Sequence, residues 1–198
     1  KKRYILNVWD NEGVRYEDPK LKMMGIEAVK SSTPAPCRKY IENSLKILMS
    51  GTEEDLIDYI EKCRNEHKSL PIDEIAFPRS ANNLGKFADS GNIYRKSTPM
   101  HVRGSLLFNW LLKDKKLLHK YNLINDGEKI KFVYLKIPNP ISENVMAFIT
   151  EFPDEIGLKQ FVDYDTMFSK GFIDPLQVIL DVIGWKTEKI TTLDDFFS

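Results

Sequence analysis

Asp163 and Asp165, in Phe161-Val162-Asp163-Tyr164-Asp165, form the chain's only Asp-x-Asp pair. Such a pair could hold divalent cations for phosphoryl or nucleotidyl transfer, which needs convergent carboxylates. The pair falls in a segment expected to be helical, within the acidic C-terminal part, where a solvated face is the simpler reading. There is no Gly-rich phosphate loop, no Gly-x-Ser-x-Gly, and no Ser/His/Asp set that spacing favours. Cys37 and Cys63 stand alone in separate helix-like segments, and His67, His101 and His119 are scattered, whereas a metal site needs clustered ligands at short spacing. The expectation is therefore no catalytic residue and no metal ligand in this chain.

Binding chemistry is better represented. Lys1-Lys2-Arg3-Tyr4 puts cations beside an aromatic ring at the start of a strand, a combination that can hold phosphates and pack against a sugar or base edge. Arg79-Ser80-Ala81-Asn82-Asn83-Leu84-Gly85-Lys86 joins two cations to small donors and backbone amides, a phosphate-tracking composition. A polar surface loop capping a helix would share that composition. Net charge is zero, but residues 1–150 carry 25 Lys+Arg against 19 Asp+Glu and residues 151–198 carry 4 against 10. A basic face can thus coexist with a neutral total, because screening leaves only nearby charges to count.

The elements that must position these groups follow from local patterns. The 198 residues are 42% apolar and 29% charged, which fits a folded domain with one sizeable core or two small lobes. No apolar run approaches the length needed to span a bilayer, and Lys1-Lys2-Arg3-Tyr4 does not open a signal peptide. The chain begins without Met and reads as a piece of something longer; the two cysteines suit a reducing, intracellular setting. Two strand-like runs around Asn11-Glu12-Gly13 predict a hairpin, which Pro19 interrupts before a short extended run over 21–29. Ser31-Ser32-Thr33-Pro34 predicts a helix entrance with Ser or Thr as N-cap, and apolar spacing predicts a helix over 35–49. Thr52 with Asp55 predicts a capping box opening a second helix. A short strand is expected over 72–77, a polar functional loop over 78–99 and a helix over 100–118. Strands are expected over 130–137 and 145–149, and helices over 155–168 and 174–183. The class is α+β.

The motifs resemble one family. Lys2 and Tyr4 look like the Lys-x-Tyr motif of family B DNA polymerases. Pro19-Lys20-Leu21-Lys22-Met23-Met24-Gly25-Ile26-Glu27 and Lys30-Ser31-Ser32-Thr33-Pro34 resemble the T-even phage branch, and Ser80-Ala81-Asn82-Asn83 and Pro99-Met100-His101-Val102-Arg103-Gly104 continue the match. The resemblance implies a C-terminal palm end plus thumb: palm-edge strands over 1–33, a mainly helical thumb over 34–186 with a few short antiparallel strands, and a tail over 187–198. It implies contacts to primer–template DNA from Lys1, Lys2, Tyr4, Lys30, Ser31, Ser32, Thr33, Arg79, Ser80, Asn82, Asn83, Lys86, His101 and Arg103. It places the magnesium-binding carboxylates in a palm outside this chain, so no cofactor is expected here. The partners implied are DNA and the palm, fingers and exonuclease portion, in the cytoplasm of an infected bacterial host and away from any membrane.

The end of the chain carries its own signal. Leu193-Asp194-Asp195-Phe196-Phe197 sets apolar side chains at i, i+3 and i+4, one face of a helical turn. It resembles the sliding-clamp-binding peptide of replicative polymerases, except that Ile190 stands where many such peptides have glutamine. The expectation is clamp binding by Leu193, Phe196 and Phe197. The alternative function is a non-catalytic adaptor acting through this hydrophobic tail. RNA binding ranks below both, for want of an aromatic strand pair to stack unpaired bases.

Overall fold

A computed structural model describes residues 4–24, 26 and 30–188 of the chain. It divides into two compact units, Lys1–His67 with Ser169–Ser198, and Lys68–Phe168. The division falls within the 34–186 span that the sequence suggests as one domain.

The first unit opens with strands β1 (Tyr4–Asn11) and β2 (Val14–Met24), paired antiparallel. Glu12 and Gly13 both take positive φ, 55° and 86°, and the Gly13 N–H donates to Asp10 Oδ1 at 3.0 Å, so the Asn-Glu-Gly signal makes the expected turn. Pro19 does not end the second strand. The pairing slips between Val8 and Asp10, and Pro19 falls on the irregular stretch of β2, where no ladder N–H is required of it.

Helix α1 (Ala35–Ser50) buries Cys37, Tyr40, Ile41, Ser44 and Leu45. Its N-cap is Pro34, with no side-chain cap, rather than a Ser or Thr. Thr33 is buried and its N–H is spent on the Lys30 carbonyl at 3.1 Å in the preceding turn. Helix α2 (Glu53–Ser69) buries Leu56, Ile57, Ile60, Cys63 and His67. The Tyr40 ring lies 6.2 Å from His67 and 5.6 Å from Phe172, which joins the helices to the returning C-terminal segment. Burial pushes both thiols up, Cys37 to about 12 and Cys63 to about 11, so they pack as protonated apolar groups.

The capping box at the start of α2 forms in full. The Thr52 N–H and hydroxyl each donate to Asp55 Oδ2 at 2.8 Å, and the Asp55 N–H donates to Thr52 Oγ1 at 3.2 Å. Thr52→Ala is expected to cost about 1 kcal/mol in a denaturant titration. The same bonds lower the Asp55 pKa, the Thr52 backbone bond foremost. A depressed folded pKa contributes stability that is present above the unfolded value, about 3.9, and is lost as pH falls through the lowered folded one. The stability difference between the protein and its Asp55→Asn variant should therefore hold at neutral pH and shrink below about pH 4; a gap independent of pH would contradict this.

In the second unit a short helix α3 (Ile72–Ile75) stands where a strand is expected. Pro71 caps it and Asp73 and Glu74 occupy its first turn, where acids favour the helix dipole. The strand starts later, as β3 (Phe77–Ala81), and runs into the expected polar loop, which also folds a helical turn, α4 (Leu84–Phe87). Helix α5 (Met100–Asp114) follows and ends before the expected Leu118. Strands β4 (Glu128–Tyr134) and β5 (Val145–Phe148) complete an antiparallel sheet in the order β3-β4-β5.

Helix α5 crosses the sheet at very close range. A Cβ on Gly104 would lie 2.9 Å from the Ala147 nitrogen and 3.1 Å from the Met146 carbonyl carbon. Around this crossing Val102, Leu107, Phe108, Leu111, Ile130, Phe132, Val145 and Ala147 form the core.

The helix expected over 155–168 is broken. Two 3-10 turns, Asp154–Ile156 and Lys159–Phe161, are separated by Gly157 at φ 76°, and only α6 (Tyr164–Phe168) is α-helical. The backbone of 161–163 is used by the sheet instead: Lys136 N–H donates to Phe161 O at 2.7 Å and Asp163 N–H to Tyr134 O at 2.9 Å. A π-helical segment, Ser169–Ile173, opens the C-terminal part of the first unit and leads into α7 (Asp174–Ile183).

Candidate nucleic-acid interface

The residues singled out in the second unit divide between two faces of the sheet and the loop beyond it. Successive strand residues point to opposite faces. Arg79, opposite Ile130, therefore shares the α5 face with Phe77 and Phe132, while Ser80, opposite Lys129, lies on the other.

On the α5 face, Arg79 is half-buried. Its guanidinium carbon sits 5.9 Å above the Phe132 ring and Nη1 donates to the Pro78 carbonyl at 2.8 Å. The His101 ring lies 6.4 Å from Phe132. Burial first, then the Arg79 charge, lowers the His101 pKa, so the imidazole is neutral at pH 7. Arg79 and His101 thus form one patch with Phe132.

On the opposite face Lys129 is exposed and its Nζ donates to Ser80 Oγ at 3.1 Å. Lys131, next on the same face, donates to the Asp73 carbonyl at 3.0 Å. Strand β3 is the sheet's edge, and the chain leaves it through Asn82 and Asn83, both exposed, with Asn83 left-handed at φ 62°. Lys86 follows, exposed, its ammonium 5.5 Å from the Phe87 ring. Ser80, Asn82, Asn83 and Lys86 thus follow one another along this edge and its loop, with Lys129 beside Ser80 on the central strand β4. One donor expected from the loop is already spent: the Leu84 N–H donates to Asp126 Oδ1 at 2.7 Å. Lys129 was not visible as part of this group, because it lies far along the chain and only the β3–β4 register brings it to Ser80.

Arg103 goes elsewhere. Two residues on from His101 in a helix, it points about 200° away. It pairs with Glu143 at 3.8 Å, hydrogen-bonds Asn144, and lies 5.6 Å over the Tyr94 ring. Its charge is largely met inside the protein.

In the first unit Tyr4 is half-buried at the start of β1, Lys30 and Ser31 are exposed, Ser32 is half-buried and Thr33 buried. Lys1, Lys2, Leu193, Phe196 and Phe197 lie outside the described residues.

The acid pair does not fit a metal centre. The two oxygens of Asp163 accept the Thr166 N–H at 3.0 Å and the Thr166 hydroxyl at 2.7 Å, as a helix cap. Asp165 pairs with Lys68 at 3.4 Å. Among the described residues no group of three or more His, Cys, Asp or Glu could hold a metal ion. Among them, too, no helix is long and apolar enough to cross a membrane.

The chain is similar end to end to two phage enzymes. It is 32% identical over 201 residues to the DNA-directed DNA polymerase of Enterobacteria phage T4 and 35% identical over 201 residues to that of Escherichia phage RB69. In both cases the match covers the whole chain and 22% of the relative, so the chain spans about a fifth of the relatives' length. A structure of the family B DNA polymerase from the hyperthermophilic archaeon Pyrobaculum calidifontis superposes with a TM-score of 0.57 at 19% identity, over 94% of this chain and 21% of that one, a likeness of fold. No protein-family model matches the chain.

Proposed function

This chain belongs to the T4-type family B DNA polymerases, whose C-terminal region it matches over its whole length, and from that premise we propose that it is the duplex-gripping thumb of a replicative enzyme. The observation that carries the reading is the strip formed by half-buried Ser80 and exposed Asn82, Asn83 and Lys86 along the β3 edge and its loop, with exposed Lys129 beside Ser80 on β4. Two exposed cations interleaved with small neutral donors suit a run of phosphates and carry no sequence information. A polymerase thumb needs that combination, since it must hold every product sequence alike.

Lys1, Lys2, Tyr4, Lys30, Ser31 and Ser32 would add contacts from the first unit. His101, neutral at pH 7, would offer a hydrogen bond beside Arg79. Arg103 and buried Thr33 would act by holding the surrounding structure, since Arg103 is met by Glu143 and Asn144 and Thr33 is enclosed. Nucleotidyl transfer itself, and the magnesium it requires, would belong to carboxylates in the rest of the polymerase. Leu193, Phe196 and Phe197 would tether the enzyme to a sliding clamp, raising its effective concentration on DNA. The site of action would be the cytoplasm of the infected bacterial cell.

Salt dependence tests the strip directly. Each lysine that neutralises a phosphate contributes about one unit to the slope of log K against log salt. Lys86→Ala and Lys129→Ala should each flatten that slope by about one on duplex DNA, to a similar extent on unrelated sequences. Slopes unchanged in both variants would remove the strip from the interface.

A further inference from the structure

A groove of about 800 Å³ opens in the second unit between the 89–96 loop and α5. Its apolar lining is Ile93, Tyr94 and Trp110; Arg95 and Lys96 are exposed at its border. Trp110 is 43% exposed, an uncommon position for so large a ring on a helix whose other face is core.

The loop is held in shape by its own bonds. Ala88 and Tyr94 form a β-bridge, Asp89 Oδ1 accepts the Gly91 N–H at 2.9 Å, and Thr98 Oγ1 donates to the Arg95 carbonyl at 2.6 Å. The groove's carboxylates are engaged: Glu143 takes the Tyr94 hydroxyl and the Arg103 guanidinium, and Asp89 takes backbone amides of the loop. Facing solvent are the cations Arg95 and Lys96 and the Asp89 carboxylate, which the loop amides and then the Arg95 charge hold below its ordinary pKa, so the cations outnumber the open carboxylates two to one. A preformed concavity with an exposed indole and two cations combines a stacking platform with a backbone-tracking edge, the chemistry that holds single-stranded nucleic acid irrespective of sequence.

We propose that this groove takes an unpaired nucleic-acid strand, stacking a base on Trp110 while Arg95 and Lys96 hold the adjoining phosphates. The proposal deepens the thumb reading and rests on it for the source of the strand, the single-stranded extension of a primer–template. A polypeptide segment would need acidic rather than phosphate partners for the same cations and is the competing occupant.

The test compares a blunt duplex with the same duplex carrying a twelve-nucleotide 5′ extension, titrated with the 198-residue chain. The extension should tighten binding roughly 5- to 100-fold, the range for loss of one base–aromatic stack. Trp110→Ala should erase that gain and leave the blunt duplex unchanged, while Trp110→Phe should keep most of it. In a protein with Trp9→Phe and Trp185→Phe, a thymidine oligonucleotide should quench the remaining Trp110 emission at low salt. No gain from the extension, or an equal loss on both DNAs in Trp110→Ala, would overturn the proposal. Absence of quenching would overturn it too and leave the groove to a polypeptide. Failure to bind blunt duplex would instead count against the thumb reading, and the quenching assay would still decide the groove.

Discussion

Replacing Phe196 and Phe197 together with alanine is expected to abolish binding to a sliding clamp while leaving affinity for duplex DNA unchanged. Aromatic anchors seated in a pocket typically cost 2 kcal/mol or more each when truncated, so losing both should weaken the clamp complex by at least about a hundredfold. The expected effect is large because Leu193, Phe196 and Phe197 are the apolar residues of this segment. Surface plasmon resonance on immobilised clamp measures the first quantity, and duplex anisotropy the second. A matched loss of both affinities would make the tail part of this chain's own core and remove the tether. Clamp binding without any affinity for DNA would favour the adaptor.

The second large effect is structural and independent of function. Gly104→Ala should lower the unfolding free energy by about 2–3 kcal/mol, the upper part of the usual range for overpacking a core. Glycine inside a helix ordinarily costs about 1 kcal/mol relative to alanine, so the same change in an open helix would stabilise. Here the atoms an added methyl meets are backbone, the Ala147 nitrogen at 2.9 Å and the Met146 carbonyl carbon at 3.1 Å, and β5 cannot move aside without breaking its pairing to β4. Gly85 in α4 provides the contrast, since a Cβ there meets nothing within 4 Å. Gly85→Ala should be neutral or mildly stabilising, by up to about 1 kcal/mol. Denaturant titrations of the two variants should therefore move in different directions; equal shifts would mean that α5 and β5 are not packed as described.

Features set by neighbours in sequence were the legible ones. The capping box needs only Thr52 and Asp55, three residues apart, and the β1–β2 turn needs only Asn11, Glu12 and Gly13. The periodicity of α1, α2 and α5 reflects a buried stripe within each helix, although the final turn of α1 leaves Met49 exposed. Strand β3 was hidden because Pro78 and Arg79 look like loop residues and its partner β4 lies some fifty residues on. The apolar spacing of Ile156, Leu158, Phe161 and Val162 imitates a helix, but Val162 bridges to Leu135 and the backbone there serves the sheet.

The site divides in the same way. The loop from Ser80 to Lys86 could be picked out by composition, and Asn82, Asn83 and Lys86 are exposed there. What composition cannot carry is direction. His101 and Arg103 lie two residues apart yet join different neighbourhoods, and Arg103 is met by Glu143 forty residues later. Lys129 enters the strip only through the strand register, and Trp110 and Arg95 share a groove only through the fold of the 89–96 loop.

Whether this chain grips duplex DNA through its phosphates is read from a labelled blunt duplex titrated with it by fluorescence anisotropy at several salt concentrations. With Lys2, Lys30, Lys86 and Lys129 each neutralising one phosphate, binding should weaken with salt at a log–log slope of about −3 to −4, alike for unrelated sequences. No binding at low salt, or binding that salt leaves unchanged, would contradict it.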